Sequence, residues 1–314
     1  MTLRILYDGD PGIDDAIAII LAVKSGALEG VTTVGGNVPV DVATTNVLNL
    51  RWLLDRSTNK GKFPVGIGCS GSRPKDESFL RLVHGSDGLG NTRRMFRGSD
   101  SAHAKIPTAT ELISEVVGRY PGQITLVAAG PLTNIAKLID YGIADAFKEI
   151  IIMGGAIKVH GNATPVAEFN VHTDPVAARK VLRSGLPITL VPLDVTTAMT
   201  VSTDSLEVFA SSKDPLHRFI FMAIRHLIRF NKKYQNPNGC HIHDAVAVAV
   251  AIRRDLFETE NHVVDVETMG EITNGMTVVD FRLSGIQPKN ASINIATSVD
   301  GRQLLRFLFK TLLD

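Results

Sequence analysis

The chain contains little cysteine and no long apolar run. Only Cys69 and Cys240 occur in 314 residues, too few for a framework of disulfide bonds. The longest apolar stretch, 245–252, falls well short of the roughly 20 residues that a membrane-spanning helix requires. The chain enters a strand-like segment at once, without the basic segment and hydrophobic core of a secretion signal. We therefore expect a protein of the reducing cytoplasm that has no membrane partner.

An excess of charge of one sign is also absent. Lys and Arg together number 33, and Asp and Glu number 32. The basic residues form short local clusters, such as Arg93, Arg94 and Arg97 or Lys232 and Lys233, and no long basic run. The sequence thus gives no basis for a nucleic-acid surface. It also lacks a phosphate loop ending in Gly-Lys-Ser or Gly-Lys-Thr and the Gly-x-Ser-x-Gly turn of serine hydrolases.

Strand-like and helix-like segments alternate along most of the chain. Short branched runs at 124–128, 150–153 and 188–191 each lead into a turn that contains glycine or proline. This alternation predicts an α/β fold of Rossmann-like type, with a mostly parallel sheet and helices on both faces. No Pro-, Ser- or charge-rich linker divides the chain, so we expect a single domain over residues 1–314. We interpret 245–257 as a buried helix.

The most informative segment is the acidic loop, residues 8–15, which reads Asp-Gly-Asp-Pro-Gly-Ile-Asp-Asp. Four carboxylates this close repel one another, and the repulsion must be relieved by protons, basic partners or a bound cation. The loop contains no Lys or Arg, which favours a metal ion. The apolar runs on either side predict a strand-to-helix turn, at the edge of the sheet where ligands collect in parallel α/β folds. Helix capping is the alternative, but it needs only one carboxylate.

A second acidic position lies far along the chain, where His243-Asp244 precedes the predicted helix. Asp244 could complete a cation site begun by Asp10 and Asp15, and such an all-oxygen set suits Ca²⁺. A helix N-cap is again the alternative for Asp244. Zinc is disfavoured because His241 and His243 have neither a cysteine pair nor a third histidine at the usual spacing.

Polar side chains also gather in the loop 161–170. Asn162, Glu168 and Asn170 can donate and accept the hydrogen bonds that a polyhydroxy ligand requires. Polar loops are common, so this observation is weak by itself. His84 begins a glycine-rich and, by its sequence, mobile loop, where a solvent-exposed histidine is as plausible as a catalytic one.

Together and in this order, these segments resemble the inosine-uridine preferring nucleoside hydrolases. The acidic loop with Ala16 resembles the N-terminal signature of that family, and 161–170 and His243-Asp244 resemble its later blocks. The resemblance spans nearly the whole chain. It implies the nucleoside hydrolase fold and calcium-dependent hydrolysis of the N-glycosidic bond of ribonucleosides. It also suggests a homodimer or homotetramer.

The resemblance also assigns roles to residues. It implies a calcium site made of Asp10, Asp15, Asp244 and a backbone carbonyl, that of Ala129. It implies ribose contacts from Asp14, Asn37, Asn162, Glu168 and Asn170. His243 would lie near the base, with His84 as a possible second group there.

The chemistry of the reaction explains these residue types. Breaking the bond builds positive charge on the sugar and negative charge on the base, so carboxylates suit the first and an acid suits the second. Calcium is a mild Lewis acid that can align water with two ribose hydroxyls, and a carboxylate must still take the proton of the water. Asp10 is our candidate base and His243 our candidate acid.

Two other interpretations remain open at this point. A haloacid-dehalogenase-like magnesium phosphohydrolase also carries Asp-x-Asp after its first strand, here Asp8-Gly9-Asp10. Gly12 stands where that family has Thr or Val, and the pair Asp14-Asp15 has no role there. A noncatalytic nucleoside-binding protein could also keep the calcium pocket. The sequence does not decide between purine and pyrimidine bases.

Overall fold

A nine-stranded sheet lies at the centre of the structure, which is a computed structural model that describes residues 2–71, 77–97, 99, 105–234, 236–282 and 292–314. The strands are β1 (Arg4–Gly9), β2 (Leu28–Thr33), β3 (Val65–Ile67), β4 (Ile124–Ala128), β5 (Glu149–Met153), β6 (Ile188–Val191), β7 (Phe257–Val266), β8 (Thr277–Val279) and β9 (Ser292–Val299). Their spatial order is β3-β2-β1-β4-β5-β6-β9-β7-β8. All neighbours from β3 to β9 run parallel, and only β7 and β8 add antiparallel pairs. The predicted mostly parallel α/β sheet is confirmed.

Helices cover both faces of this sheet, also as predicted. They are α1 (Ile13–Lys24), α2 (Val40–Thr58), α3 (Glu77–His84), α4 (Ala109–Arg119), α5 (Thr133–Asp140), α6 (Phe169–Thr173), α7 (Pro175–Leu182), α8 (Leu193–Thr196), α9 (Thr203–Ala210), α10 (Pro215–Tyr234), α11 (His243–Ile252) and α12 (Gly301–Leu313). One apolar cluster joins the sheet to α1, α2, α10, α11 and α12, and a second joins the opposite face to α4, α5 and α7. None of the described helices is long and apolar enough to cross a membrane.

The order of the strands determines where a ligand can bind. Strands β2 and β3 lie on one side of β1, and β4 lies on the other side. The connection that leaves β1 and the one that leads into β4 therefore run in opposite directions along the sheet. A crevice opens at such a point outside the carboxyl ends of the strands. Asp8 pairs with Ala128 there, which brings the acidic loop beside Ala129.

Three features differ from the sequence prediction. Helix α11 ends at Ile252, because Arg253 leaves the helical backbone region at φ −130° and Phe257 already pairs with Val299 in β7 and β9. His84 ends α3, directly before the glycine-rich loop, and is only 6% exposed, so of the two alternatives for it the solvent-exposed histidine is wrong. The strand β9 and the helix α12 were not predicted at all.

Candidate active site at the carboxyl edge of the sheet

The acidic loop connects β1 to α1 and separates its four carboxylates. Asp8 is still inside β1, and its carboxylate accepts hydrogen bonds from Thr32 Oγ1 at 2.5 Å and from Asn134 Nδ2 at 2.8 Å. Burial raises the pKa of Asp8 to about 6. Asp8 therefore has its own local partners, and the other three carboxylates remain for a site.

Asp10 follows the end of β1 and is fully buried. Its Oδ2 accepts the backbone N–H of Asn37 at 2.5 Å, and its Oδ1 accepts the Asn37 side-chain amide at 3.3 Å. The same amide nitrogen lies 3.4 Å from Asp15 Oδ2, so Asn37 links the two carboxylates. A Cβ atom at Gly36 would lie 2.0 Å from Asp10 Oδ2, which explains why glycine occupies that position.

The closest group of carboxylates comes from both ends of the chain. Oxygen atoms of Asp14, Asp15 and Asp244 all lie within 4.8 Å of one another. Asp15 also accepts hydrogen bonds from Tyr7 Oη at 2.8 Å and from the Gly12 N–H at 3.0 Å, whereas the buried Oδ1 of Asp14 has no partner. Asp14, for which the family resemblance implied a ribose contact, thus belongs to this group, and Asp10 does not.

Electrostatics make the group unstable as a set of bare anions. Burial is the largest cause that raises the pKa values of Asp10, Asp14 and Asp244, and repulsion between the carboxylates is the second. The pKa of Asp14 rises to about 7. The pKa of Asp15 is also raised by burial, against several hydrogen bonds that lower it. In the described part of the chain no Lys or Arg pairs with these carboxyl groups. Protons or a bound cation must therefore balance their charge.

Glu168 and Asn170 stand across the crevice and are held by backbone groups. Glu168 caps α6, where Oε1 accepts the N–H of Asn170 at 2.9 Å and Oε2 accepts those of Gly155 and Val171 at 3.0 and 3.2 Å. The Nδ2 of Asn170 lies 3.2 Å from the carbonyl oxygen of Ala129, so that carbonyl faces the same space. The side-chain oxygen of Asn162 accepts the N–H of Phe169 at 2.8 Å.

Three histidines lie on the other side of the crevice. The Ile13 N–H donates to Nδ1 of His84 at 3.2 Å, and Nδ1 of His243 lies 2.7 Å from Thr196 Oγ1. The ring of His241 is 5.8 Å from that of His243. Burial lowers the pKa of His84 to about 4, helped by His226, and lowers that of His243 to about 3, helped by His241.

These groups surround one cleft of about 760 Å³, counting its open side. Its polar lining consists of Asp14, Asn37, Asn162, Glu168, Asn170 and Asp244. Its remaining lining includes Phe79, Leu80, Val83, His84, Leu227, Asn231, His241 and His243. All of the predicted site residues line this cleft except Asp10 and Asp15, which are fully buried. The carboxylates and amides suit hydroxyl groups, and the histidines and apolar side chains suit a flat heterocycle.

Some residues of the site were missed from the sequence. Tyr7 could have been found, because a tyrosine inside a buried strand needs a partner for its hydroxyl group. Thr196 and Asn134 carry no signal of their own, since each contributes a single polar side chain from a segment distant in sequence. Leu227 and Asn231 face the cleft from α10, whose pattern indicates only an amphipathic helix.

Comparisons with known proteins find relatives over nearly the whole chain. The family model described as inosine-uridine preferring nucleoside hydrolase matches residues 5–306. The chain is 35% identical to a pyrimidine-specific ribonucleoside hydrolase of Citrobacter koseri over 94% of each chain. It is also 35% identical to uridine nucleosidase 1 of Arabidopsis thaliana, over 97% of this chain and 91% of that one. A solved plant nucleoside hydrolase superposes with a TM-score of 0.89 at 29% identity, covering 99% of both chains.

Proposed function

Because the chain belongs to the inosine-uridine preferring nucleoside hydrolase family, we propose that it hydrolyses the N-glycosidic bond of ribonucleosides, pyrimidine nucleosides included, and releases base and ribose. The observation that carries this proposal is the composition of the cleft. Carboxylates and amides line it together with histidines and apolar side chains. No observation favours the phosphohydrolase interpretation.

Calcium is the cofactor that we propose for this site. Its donors are the carboxylates of Asp10, Asp15 and Asp244 and the carbonyl oxygen of Ala129, an all-oxygen set that suits a hard cation. Two observations support the fit: these buried carboxylates have no cationic partner among the described residues, and oxygen atoms of Asp15 and Asp244 converge with one of Asp14 within 4.8 Å. Bound calcium would supply a mild Lewis acid and a fixed positive charge.

The polar side chains of the cleft would orient the ribose. Asn170 uses its amide nitrogen on the carbonyl oxygens of Ala129 and Met153, which leaves its side-chain oxygen for a hydroxyl group. Asn37 uses its amide nitrogen in the same way on Asp10 and Asp15. The carboxylate of Glu168 is held by three backbone N–H groups. Because these side chains are fixed before the substrate binds, little orientation entropy is lost during reaction.

The bond cleavage that we propose balances as follows. The C–N bond breaks with its electron pair leaving on the base nitrogen, and the oxygen of a water molecule forms the new bond to the ribosyl carbon. Asp10 takes the proton of that water, since it is the buried carboxylate with a raised pKa next to Asn37. The base takes a proton from solvent as it leaves, and Asp10 returns its proton to solvent, so protons balance over the turnover.

His243 assists the departure of the base as a neutral group. Because burial lowers its pKa to about 3, the imidazole carries no charge near neutral pH. It therefore acts through a hydrogen bond to the leaving base instead of as a cationic acid. His84 is also neutral near pH 7, and its Nδ1 is occupied by the Ile13 N–H, so Nε2 carries its proton.

The test is a direct assay of free ribose. The protein is incubated with inosine, uridine, cytidine, adenosine and guanosine, with and without a calcium chelator. We expect ribose from at least uridine, loss of that activity with chelator, and recovery when calcium is added back. Tight nucleoside binding without ribose release would instead support a noncatalytic nucleoside-binding protein, and activity unaffected by chelator would exclude the calcium site.

A cytoplasmic location and a homodimer or homotetramer are part of the same proposal. Both cysteines are free, as suits a reducing compartment. Met269 and Ile272, which precede the edge strand β8, are 90% and 83% exposed and offer an apolar surface for contact between copies. Sedimentation velocity measures the assembly directly, and a monomer at all concentrations would contradict an oligomer.

A further inference from the structure

Thr196 lies at the end of α8, and its hydroxyl group contacts His243, which lines the cleft. Its hydroxyl oxygen is 2.7 Å from Nδ1 of His243, a hydrogen bond whose donor the heavy atoms leave open. The Thr196 side chain is fully buried, so water cannot serve its hydroxyl group instead. The direction of this one bond determines which nitrogen of His243 carries the proton.

Burial of the hydroxyl group decides that direction. If Nδ1 of His243 donated, the Thr196 hydroxyl hydrogen would need another acceptor, and among the described residues none is found. A buried donor without a partner costs about 1–3 kcal/mol. If Thr196 donates instead, both groups are satisfied. A neutral His243 then carries its proton on Nε2, the ring nitrogen left for the cleft that His243 lines.

We propose, resting on the function proposed above, that Thr196 is a positioning residue that fixes His243 in the Nε2-protonated tautomer and so presents an N–H donor to the leaving base. An N–H donor is complementary to a base that gains negative charge as its bond to ribose breaks. With the opposite tautomer, Nε2 would present a lone pair to that growing negative charge and would repel it.

The neighbouring histidine has the opposite tautomer and cannot replace His243. Nδ1 of His241 lies 3.0 Å from the carbonyl oxygen of Met199, which can only accept, so Nδ1 carries the proton. Its Nε2 accepts from the Asn236 amide nitrogen at 3.3 Å, and the oxygen of that amide accepts the Asn238 N–H at 2.9 Å. His241 therefore has no N–H on Nε2.

The backbone around Thr196 is held firmly enough for this role. The N–H of Leu193 donates to the carbonyl oxygen of Gly155 at 2.9 Å, and the Asp194 carboxylate accepts the N–H groups of Ile157 and Lys158 at 2.9 and 2.7 Å. Gly155 also donates to Glu168, for which we propose a ribose contact. Helix α8 is thus tied to the same loop that orients the ribose-binding carboxylate.

The first test is the protonation state of the ring, which does not depend on activity. ¹⁵N-histidine NMR near pH 7, with His243→Gln used for assignment, distinguishes a protonated ring nitrogen from an unprotonated one. We expect an unprotonated Nδ1 and a protonated Nε2 in the natural chain, and a mixture of tautomers in Thr196→Val. A protonated Nδ1 in the natural chain would overturn the proposal, whether or not the protein hydrolyses nucleosides.

The second test compares two leaving groups. For uridine we expect Thr196→Val to lower kcat/KM about tenfold to a hundredfold, as for loss of one transition-state hydrogen bond. For 4-nitrophenyl riboside, whose leaving group is stable without a donor, we expect less than about a threefold change. Thr196→Ser should restore uridine hydrolysis, and Thr196→Val should have no further effect in a His243→Ala background.

The matched control is Thr197→Val, since Thr197 is exposed and its hydroxyl group donates only to the Leu193 carbonyl within α8. It should leave both substrates unaffected. Equal losses for the two substrates in Thr196→Val would mean that Thr196 supports only the fold, and the proposal would be wrong. If Thr196→Val does not fold, the comparison of Thr196→Ser with the natural chain and the NMR measurement still decide the question.

Discussion

Asp8 and Asp10 are two residues apart, yet their carboxylates have different surroundings. Asp8 bonds to Thr32 and Asn134, within the sheet and its nearest helix. Asp10 accepts two hydrogen bonds from Asn37, beside the cluster of carboxylates. A motif in a sequence therefore contains residues with separate tasks, and the partners of each side chain distinguish them.

Removing the carboxylate of Asp10 should abolish turnover without unfolding the protein. We expect Asp10→Ala to lower kcat for uridine about a thousandfold, because general bases contribute roughly 10²–10⁴-fold. Circular dichroism, and thermal unfolding measured with chelator present, should remain close to those of the natural chain. Asp41→Ala, on the exposed first turn of α2, is the control and should retain full activity. Near-normal turnover in Asp10→Ala would remove Asp10 from the mechanism.

His84 should make stability depend on pH in a direction that can be stated in advance. Burial lowers its pKa to about 4 in the folded state, whereas an unfolded histidine titrates near 6.5. Between these values the unfolded chain binds a proton that the folded chain does not, so acid favours unfolding. This stabilising contribution is complete above about pH 6.5 and is lost as the pH falls toward 4.

The measurement is urea unfolding of the natural chain and His84→Gln at pH 7.5 and pH 5, with chelator present throughout. From these pKa values, the stability advantage of the natural chain over the variant should shrink by about 2 kcal/mol at the lower pH. An advantage that stays constant between the two pH values would show that His84 is not buried in its neutral form.

At the level of elements, short helices orient the site. Helix α6 has only five residues, and its N-cap is the carboxylate of Glu168, which also faces the cleft. Helix α7 follows at once with Asp174 as its N-cap, and that carboxylate bonds to Thr133. The two caps perform the same structural task, but only Glu168 can also contact a substrate.

The two N-cap carboxylates, Glu168 and Asp174, allow a matched comparison of two variants. Each of Glu168→Ala and Asp174→Ala should lower the free energy of unfolding by about 1–2 kcal/mol, because each removes an N-cap. Only Glu168→Ala should also raise KM for uridine, about tenfold or more, through loss of a charged hydrogen bond to ribose. Steady-state kinetics and urea unfolding of both variants make the test. A similar rise of KM in both would mean that Glu168 acts only through the position of α6.

At the scale of the whole molecule, the site joins both ends of the chain. The acidic loop lies near the N-terminus and Asp244 opens α11, and these two segments pack together as α1 against α11. A cation bound between them would bind only the folded state and would stabilise the entire domain. The repulsion among the carboxylates would be removed at the same time.

Calcium should therefore raise the melting temperature. At a free concentration one hundred times its Kd, a single ion adds about 2.7 kcal/mol, or roughly 5 °C for a chain of this size. Differential scanning calorimetry with chelator and with added calcium measures the shift. Asp244→Asn should reduce it strongly, while Asp255→Asn, on the exposed turn after α11, should leave it unchanged. No shift in the natural chain would exclude a calcium site.

Much of the fold follows from local pattern. The strands β1, β4, β5 and β6 were predicted because buried parallel strands are short, apolar and rich in branched side chains. The sequence predicted α11 but extended it to residue 257, whereas the helix ends at Ile252. Neither its alternating Ala and Val nor the residues after it mark the point where the chain leaves the helix and enters β7. The strand β9 was missed because its position beside β6 depends on long-range pairing, which no local pattern encodes.

The sequence by itself determined the α/β class, the acidic loop and the identity of most polar side chains around the cleft, because these depend on residue type and on neighbours along the chain. Only the tertiary structure decided that Asp14 joins Asp15 and Asp244, that His84 is buried, and that Thr196 meets His243. These contacts join segments distant in sequence, and their energies depend on distance and burial, which exist only once the sheet has brought the ends of its strands together.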